Sequence, residues 1–248
     1  MPVIRTPAIV CTLRRHGEHG AVVRLFTPDH GLQAGYVRGG RSTALRPVLM
    51  PANLVTAELR SRSEDQLASL TVELSTSRAP YYAEPLAAAA FEWVTLLTAA
   101  VAPDDQPFPR LYAALDALLE LVCVAPSARW WVRAMVGYEA LLLAELGFGL
   151  DLERCAATGA RDDLAYVSPR TGRAVSLHAA GVYAEKLLVL PAFMTGQALG
   201  DAQPDWEQLL QGFTLTGHFI ERQFFSDRRA DVLAARILMI DRLRRIAS

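Results

Sequence analysis

Lysine is nearly absent: Lys186 is the only one among 25 basic residues, leaving 24 arginines. A P-loop needs a lysine directly after its glycines, and Lys186 follows Ala184-Glu185 with no glycine run before it, which excludes that nucleotide-hydrolase class. Cysteine is as scarce. Cys11, Cys123 and Cys155 are odd in number and far apart, which argues against a disulfide framework and for a reducing compartment. The nearest dinucleotide-type stretch, Gly147-Phe148-Gly149, follows a helical pattern and lacks a third glycine. Neither a His-Glu-x-x-His zinc motif nor a Gly-x-Ser-x-Gly elbow occurs. Met1-Pro2-Val3-Ile4-Arg5 has no signal-peptide character. The longest apolar run, Leu86 to Ala102, carries Glu92 and falls short of the ~20 residues a membrane span needs. A soluble, cytoplasmic protein with no membrane partner is the expectation.

Histidine does not fill the gap. His16 and His19 flank Gly17 in a turn and read as solvated loop residues rather than metal ligands, while His30 and His218 read as surface or capping residues. A hydrolase whose residues assemble only in three dimensions, for example from Asp162, Asp163 and His178, is a minor alternative. No catalytic constellation stands out, and the chain is not expected to be an enzyme.

What is present is an ordinary globular composition: 248 residues, 52% hydrophobic and 21% charged, which excludes wholesale disorder. Residues 1–80 alternate as strands. Ile9, Cys11 and Leu13, the run Ala21 to Thr27, then Leu32, Ala34 and Tyr36, Val55, Ala57 and Leu59, and Leu70, Val72 and Leu74 mark five strands with one apolar face each. A small barrel buries five such faces, although periodicity alone does not select which barrel. From Pro80-Tyr81-Tyr82 the period becomes helical. Helices are expected from Pro85 to about Ala102, through Leu111 to Leu119, and from a Ser127 cap to Gly147. A hairpin is expected around Ser168-Pro169-Arg170-Thr171-Gly172, inside a subdomain at about 151–180. A short helix near Val182 to Leu188, a Pro/Gly-rich link to Asp205, and helices at about Trp206–Phe225 and Ala230–Ala247 complete the chain. The class is α+β: a barrel over 1–80 and a helical bundle over 81–248 with an inserted hairpin. Trp130 and Trp131 read as bundle core, and Arg242-Leu243-Arg244-Arg245 suits a helix C-terminus as well as a ligand.

The formal net charge of −1 conceals a division. Residues 1–80 hold 10 arginines against 6 acidic residues, net +4, and the rest holds 15 basic against 20 acidic, net −5. Arg38, Arg41 and Arg46 carry no acid between them on a connection that reads as flexible and glycine-bearing. Small barrels hold single strands with such loops, and the scarcity of aromatics (Phe26 and Tyr36) leaves most of the affinity to phosphate contacts. From charge alone, a solvated basic loop without a partner is an equal reading. A module whose barrel binds a protein instead of DNA is the alternative from another class.

The order of these parts resembles the RecO family of bacterial recombination mediators. The resemblance rests on Gly31 with Gly35-Tyr36-Val37-Arg38-Gly39-Gly40-Arg41, on Tyr138-Glu139-Ala140-Leu141-Leu142-Leu143-Ala144-Glu145-Leu146-Gly147-Phe148, and on Cys155 shortly after. It implies an OB-fold before a helical domain, no catalytic activity, and a cytoplasmic, nucleoid-associated location. It implies binding to single- and double-stranded DNA, annealing of complementary strands, and loading of RecA together with RecR. It further implies contact with the acidic tail of single-stranded-DNA-binding protein. Carried over by position, DNA contact falls on Arg14, Arg15, Arg38, Arg41 and Arg46, and tail contact on Arg129 or Arg133 beside Trp130. Many members hold zinc on two Cys-x-x-Cys pairs. Here only Cys155 remains: Thr158 takes the second place, and Ser176 and Ala179 take the second pair's, with His178 between. One thiolate cannot close a tetrahedral site, so no zinc and no other cofactor is expected.

Overall fold

The computed structural model describes residues 3–61, 66–195, 203–225 and 230–247. Arg62 and most of the link before Asp205 lie outside them. By contacts the chain forms two compact units, Met1–Cys123 with Ala230–Ile246, and Val124–Arg229 with Ala247–Ser248. The strand-to-helix change near residue 80 therefore falls inside the first unit, which also holds three helices.

Five strands build the barrel: β1 (Val3–His16), β2 (Gly20–Thr27), β3 (Gly31–Val37), β4 (Leu54–Arg60) and β5 (Ala68–Thr76). They close in the order β1-β2-β3-β5-β4, with β4 returning to β1 and β3 running parallel to β5. This is the order of an OB-fold. Ala8, Val10, Val23, Leu25, Val55, Leu59 and Leu70 fill the interior.

The expectation of a single apolar face per strand needs correction. On β1 and β2 both faces are buried: Ala8 and Val10 point into the barrel, whereas Ile9, Cys11 and Phe26 are buried without belonging to that interior cluster. The helix α1 (Pro85–Val101) packs on β1 and β2, and Phe26 meets Tyr112 of α2 (Pro109–Val124) with ring centroids 5.9 Å apart. On β3 the parity is reversed. Val37 belongs to the interior and Gly35 abuts Leu70, so Tyr36 points outward. The connection after β3 is not loose either. Its amides bond in helical fashion, Arg46 to Ser42 (3.0 Å) and Leu49 to Leu45 (3.0 Å), and Leu49 is fully buried in the barrel core. Asn53 fastens its end, donating to the carbonyls of Pro47 (2.8 Å) and Val48 (3.1 Å).

In the second unit, α3 (Ala128–Glu145) starts where the Ser127 hydroxyl accepts the Arg129 amide at 3.4 Å, and it stops before Gly147 at φ 87°. The hairpin consists of β6 (Leu164–Val167) and β7 (Ala174–Ser176). The expected helix near Val182 to Leu188 is instead a four-residue helix α4 (Leu177–Ala180), a 3₁₀ turn Gly181–Lys186, and a third strand β8 (Leu188–Val189). The chain is drawn onto the edge of β6, where the Leu190 amide donates to Ala165 (2.9 Å). The helix α5 (Trp206–Phe224) opens with a reciprocal cap. The Gln208 amide donates to the Asp205 carboxylate (2.8 Å), and the Asp205 amide donates to the Gln208 side chain (3.1 Å). Its Gly212 lies so close to Val136 and Phe193 that a Cβ there would come within 3.0 Å of both.

The last helix, α6 (Ala230–Ala247), belongs to the first unit. Arg236 is buried with its guanidinium 5.6 Å from the Trp93 ring centre, and Arg242 donates to the Pro85 carbonyl. Arg242 is thus a packing residue at one end of α1. Among the described residues no helix is long and apolar enough to cross a membrane.

Candidate nucleic-acid interface

The arginines of the barrel separate by what surrounds them. Arg24 donates to the Ala99 carbonyl (2.5 Å) and pairs with Asp104. Arg60 pairs with Glu58 at 2.6 Å. Arg78 is buried, donates to the Ala52 carbonyl (2.5 Å) and pairs with Asp116 at 3.1 Å. Arg24 and Arg78 join separate parts of the fold, and Arg60 is neutralised within its own strand. Arg14, Arg15, Arg38, Arg41 and Arg46 are all exposed, and among the described residues none of the five has an acidic partner.

Two hydrogen bonds from Arg41 gather four of them at one end of the barrel. Arg41 donates from its side chain to the Glu18 carbonyl (2.7 Å), and its amide donates to the His19 carbonyl (3.4 Å). The segment leaving β3 is thereby tied to the β1–β2 turn, placing Arg38 and Arg41 beside the hairpin that ends in Arg14 and Arg15. Gly39, at φ 68°, and the tightly packed Gly40 make this turn possible, since a Cβ on Gly40 would lie 2.9 Å from that of Ala21. Arg46 sits farther along the connection, on the turn whose Leu45 and Leu49 pack against the core.

Sequence periodicity overlooked Tyr36 as a surface group. The register places Arg14 opposite Val22, Val22 opposite Tyr36, and Tyr36 opposite Ser69, one row across the outside of the barrel. The tyrosine ring lies over Gly20 with the His16 ring edge-on to it, centroids 5.7 Å apart at 78°. The sequence offered no signal for this, because Leu32, Ala34 and Tyr36 form the apolar alternation while Val37 shares its parity with Gly35 and Gln33. Phe26, the other aromatic of the barrel, is wholly buried and unavailable.

In the second unit, α3 turns one stripe to solvent. Trp131 is core, but Trp130 is 43% exposed. Trp130 lines a groove of about 420 Å³ with Arg133, over a floor of Ala134, Gly137 and Ala140 and against Leu152, Phe193 and Met194. Arg129 does not line this groove.

The residues around Cys155 do not suit zinc. The Cys155 sulfur receives the Ser176 amide (3.3 Å) and hydroxyl (3.5 Å), so the place of a second ligand pair is filled by a hydrogen-bond donor. Burial pushes the thiol up, but hydrogen bonds from Ser176 and Thr158 outweigh it and bring the pKa down to about 6. Among the described residues no three His, Cys, Asp or Glu side chains converge as a metal site would require, so Asp162, Asp163 and His178 do not form one. The adjoining turn is gripped from α5: His218 Nε2 donates to the Pro169 carbonyl (3.1 Å), and Arg222 donates to the carbonyls of Pro169 (2.7 Å) and Arg170 (2.9 Å).

Residues 1–78 match the family model described as Recombination protein O N terminal, and residues 84–230 match Recombination protein O C terminal. The DNA repair protein RecO of Rhodospirillum centenum is 45% identical over 241 residues, covering 96% of this chain and 93% of that protein. The RecO of Caulobacter vibrioides NA1000 is 41% identical over 95% of each chain, and that of Jannaschia is 41% identical over 97% and 96%. With both halves matched and the barrel in the strand order of an OB-fold, the chain belongs to the RecO family of DNA repair proteins.

Proposed function

We propose that the chain is a non-enzymatic mediator of homologous recombination. It binds single- and double-stranded DNA through Arg14, Arg15, Arg38, Arg41 and Arg46, anneals complementary strands, and with RecR helps load RecA onto single-stranded DNA. The observation that carries this reading is the gathering of Arg14, Arg15, Arg38 and Arg41 at one end of the barrel, exposed and, among the described residues, without an acidic partner, while Arg24, Arg60 and Arg78 are paired with acids. Unpaired guanidiniums on one small barrel neutralise phosphates of two strands at once, and this lowers the repulsion that opposes their pairing. The α3 groove suits the acidic, aromatic tail of single-stranded-DNA-binding protein, with Trp130 and the apolar floor receiving the ring and Arg133 the carboxylate. Arg129 has a lesser part, being outside the groove lining. The protein works without zinc, in the cytoplasm and on the nucleoid.

The test is an annealing assay on the variant Arg38→Glu/Arg41→Glu/Arg46→Glu, with circular dichroism confirming the fold. Annealing is expected to be lost while the spectrum is retained. Survival of annealing would overturn the assignment of these residues. Absence of any DNA binding by the wild type at low salt would instead favour a barrel that binds protein.

A further inference from the structure

Glycine at position 20 is unexplained by backbone conformation. Among the described residues seven glycines take positive φ, including Gly17 in the same turn, but Gly20 is not one of them and is the first residue of β2. A strand glycine without a conformational need costs stability relative to a residue with a side chain, so space is the reason for it. A Cβ on Gly20 would lie 2.3 Å from the Tyr36 hydroxyl oxygen and 2.4 Å from its ring. The strand forgoes a side chain there, and the end of the Tyr36 ring takes the space a side chain would fill. The His16 ring meets it at 78°, holding it from one side. Tyr36 remains partly exposed on the outer surface of the barrel, in one row with Arg14.

We infer that Tyr36, backed by Gly20, is a stacking platform for one unpaired base, and that it lets the barrel prefer single strands to duplex. This rests on the DNA-binding reading above and deepens it. A ring held against Gly20 and in contact with the His16 imidazole loses little freedom when a base stacks on the part of it that meets solvent. In a duplex each base is already stacked between its neighbours, and only an unpaired base reaches the ring without unstacking. The arginine contacts treat both forms of DNA alike, because they read phosphate. Tyr36 reads the base.

The experiment compares three labelled probes at one salt concentration: an oligodeoxythymidylate, an abasic strand of equal length, and a duplex of equal length. Tyr36→Leu is expected to weaken the oligodeoxythymidylate about tenfold and to leave the abasic strand and duplex unchanged. Tyr36→Phe should bind all three like the wild type. Gly20→Ala, which keeps every charge and the ring but displaces it, should reproduce the loss seen with Tyr36→Leu. Equal weakening of all three probes by Tyr36→Leu, or of none, overturns the stacking role, as does a Gly20→Ala protein that binds like the wild type. If the arginine triple variant still abolishes binding in that event, the DNA-binding reading stands alone. If the wild type binds none of the probes, it is the DNA-binding reading that fails.

Discussion

Cys11 and Cys155 are both buried thiols, and their surroundings drive them in opposite directions. Around Cys11 burial dominates and pushes the pKa up to about 12, so it stays a neutral packing group. Around Cys155 donors from Ser176 and Thr158 prevail and hold the pKa at about 6, below its usual value of 9.0. A folded-state pKa below the unfolded one means that the thiolate stabilises the fold fully above about pH 9, and that this contribution fades as pH falls through about 6. Ultraviolet thiolate absorbance should therefore show Cys155 titrating near pH 6, and Ser176→Ala should move the midpoint upward. The sequence displays Cys155 as the remnant of a ligand set. Only the fold shows that Ser176, 21 residues on, has become its hydrogen-bond donor. Tyr36 presents the same difficulty, since an apolar-looking strand position becomes a surface one through the parity of β3.

At the scale of elements, strand and helix positions were largely legible because periodicities of two and 3.6 are local properties of the chain. The Ser127 cap and the Gly147 stop were readable for the same reason. Faces were not. Ile9, Cys11 and Phe26 look like one side of a half-buried strand, yet α1 and α2 cover the barrel's outside there and bury both sides. β8 was invisible because two residues carry no period. Arg78 shows how the barrel and α2 are joined: its amide donates to the Asn53 side chain (2.8 Å), and its guanidinium bridges the Ala52 carbonyl and Asp116. Asp116 is 41% exposed, so removing the arginine would not strand a buried carboxylate, but it would leave the Ala52 carbonyl without that donor. Arg78→Met should cost about 2 kcal/mol, read as a lowered urea midpoint with an unchanged slope.

For the whole molecule, the net charge of −1 is a sum over parts that do different things. The excess of arginine in the first eighty residues was visible by counting, but counting weighted all of them equally. Folding neutralises Arg24, Arg60 and Arg78 with Asp104, Glu58 and Asp116, and leaves the five candidate residues to solvent. Asp104 and Asp116 come from outside the barrel strands, so no window of sequence could have assigned Arg24 and Arg78. Each phosphate contact on a single strand contributes about −0.7 to the slope of log affinity against log salt. Replacing Arg38, Arg41 and Arg46 by glutamine should make that slope shallower by about 2, whereas Arg60→Gln, at a guanidinium already paired with Glu58, should leave it unchanged. Titration of binding against salt measures both.

The sequence by itself determined the α+β class, the positions of the barrel strands and main helices, the family, and the shortage of zinc ligands around Cys155. All of these follow from local periodicity, from composition, or from residues adjacent in the chain. Only the tertiary structure decided which arginines are free, which face Tyr36 presents, and what holds the Cys155 sulfur. Each of those depends on a partner distant along the chain: Asp104 for Arg24, Gly20 for Tyr36, Ser176 for Cys155. A charge or a ring acquires its role from what folding sets against it, and that neighbour is not encoded at the residue itself.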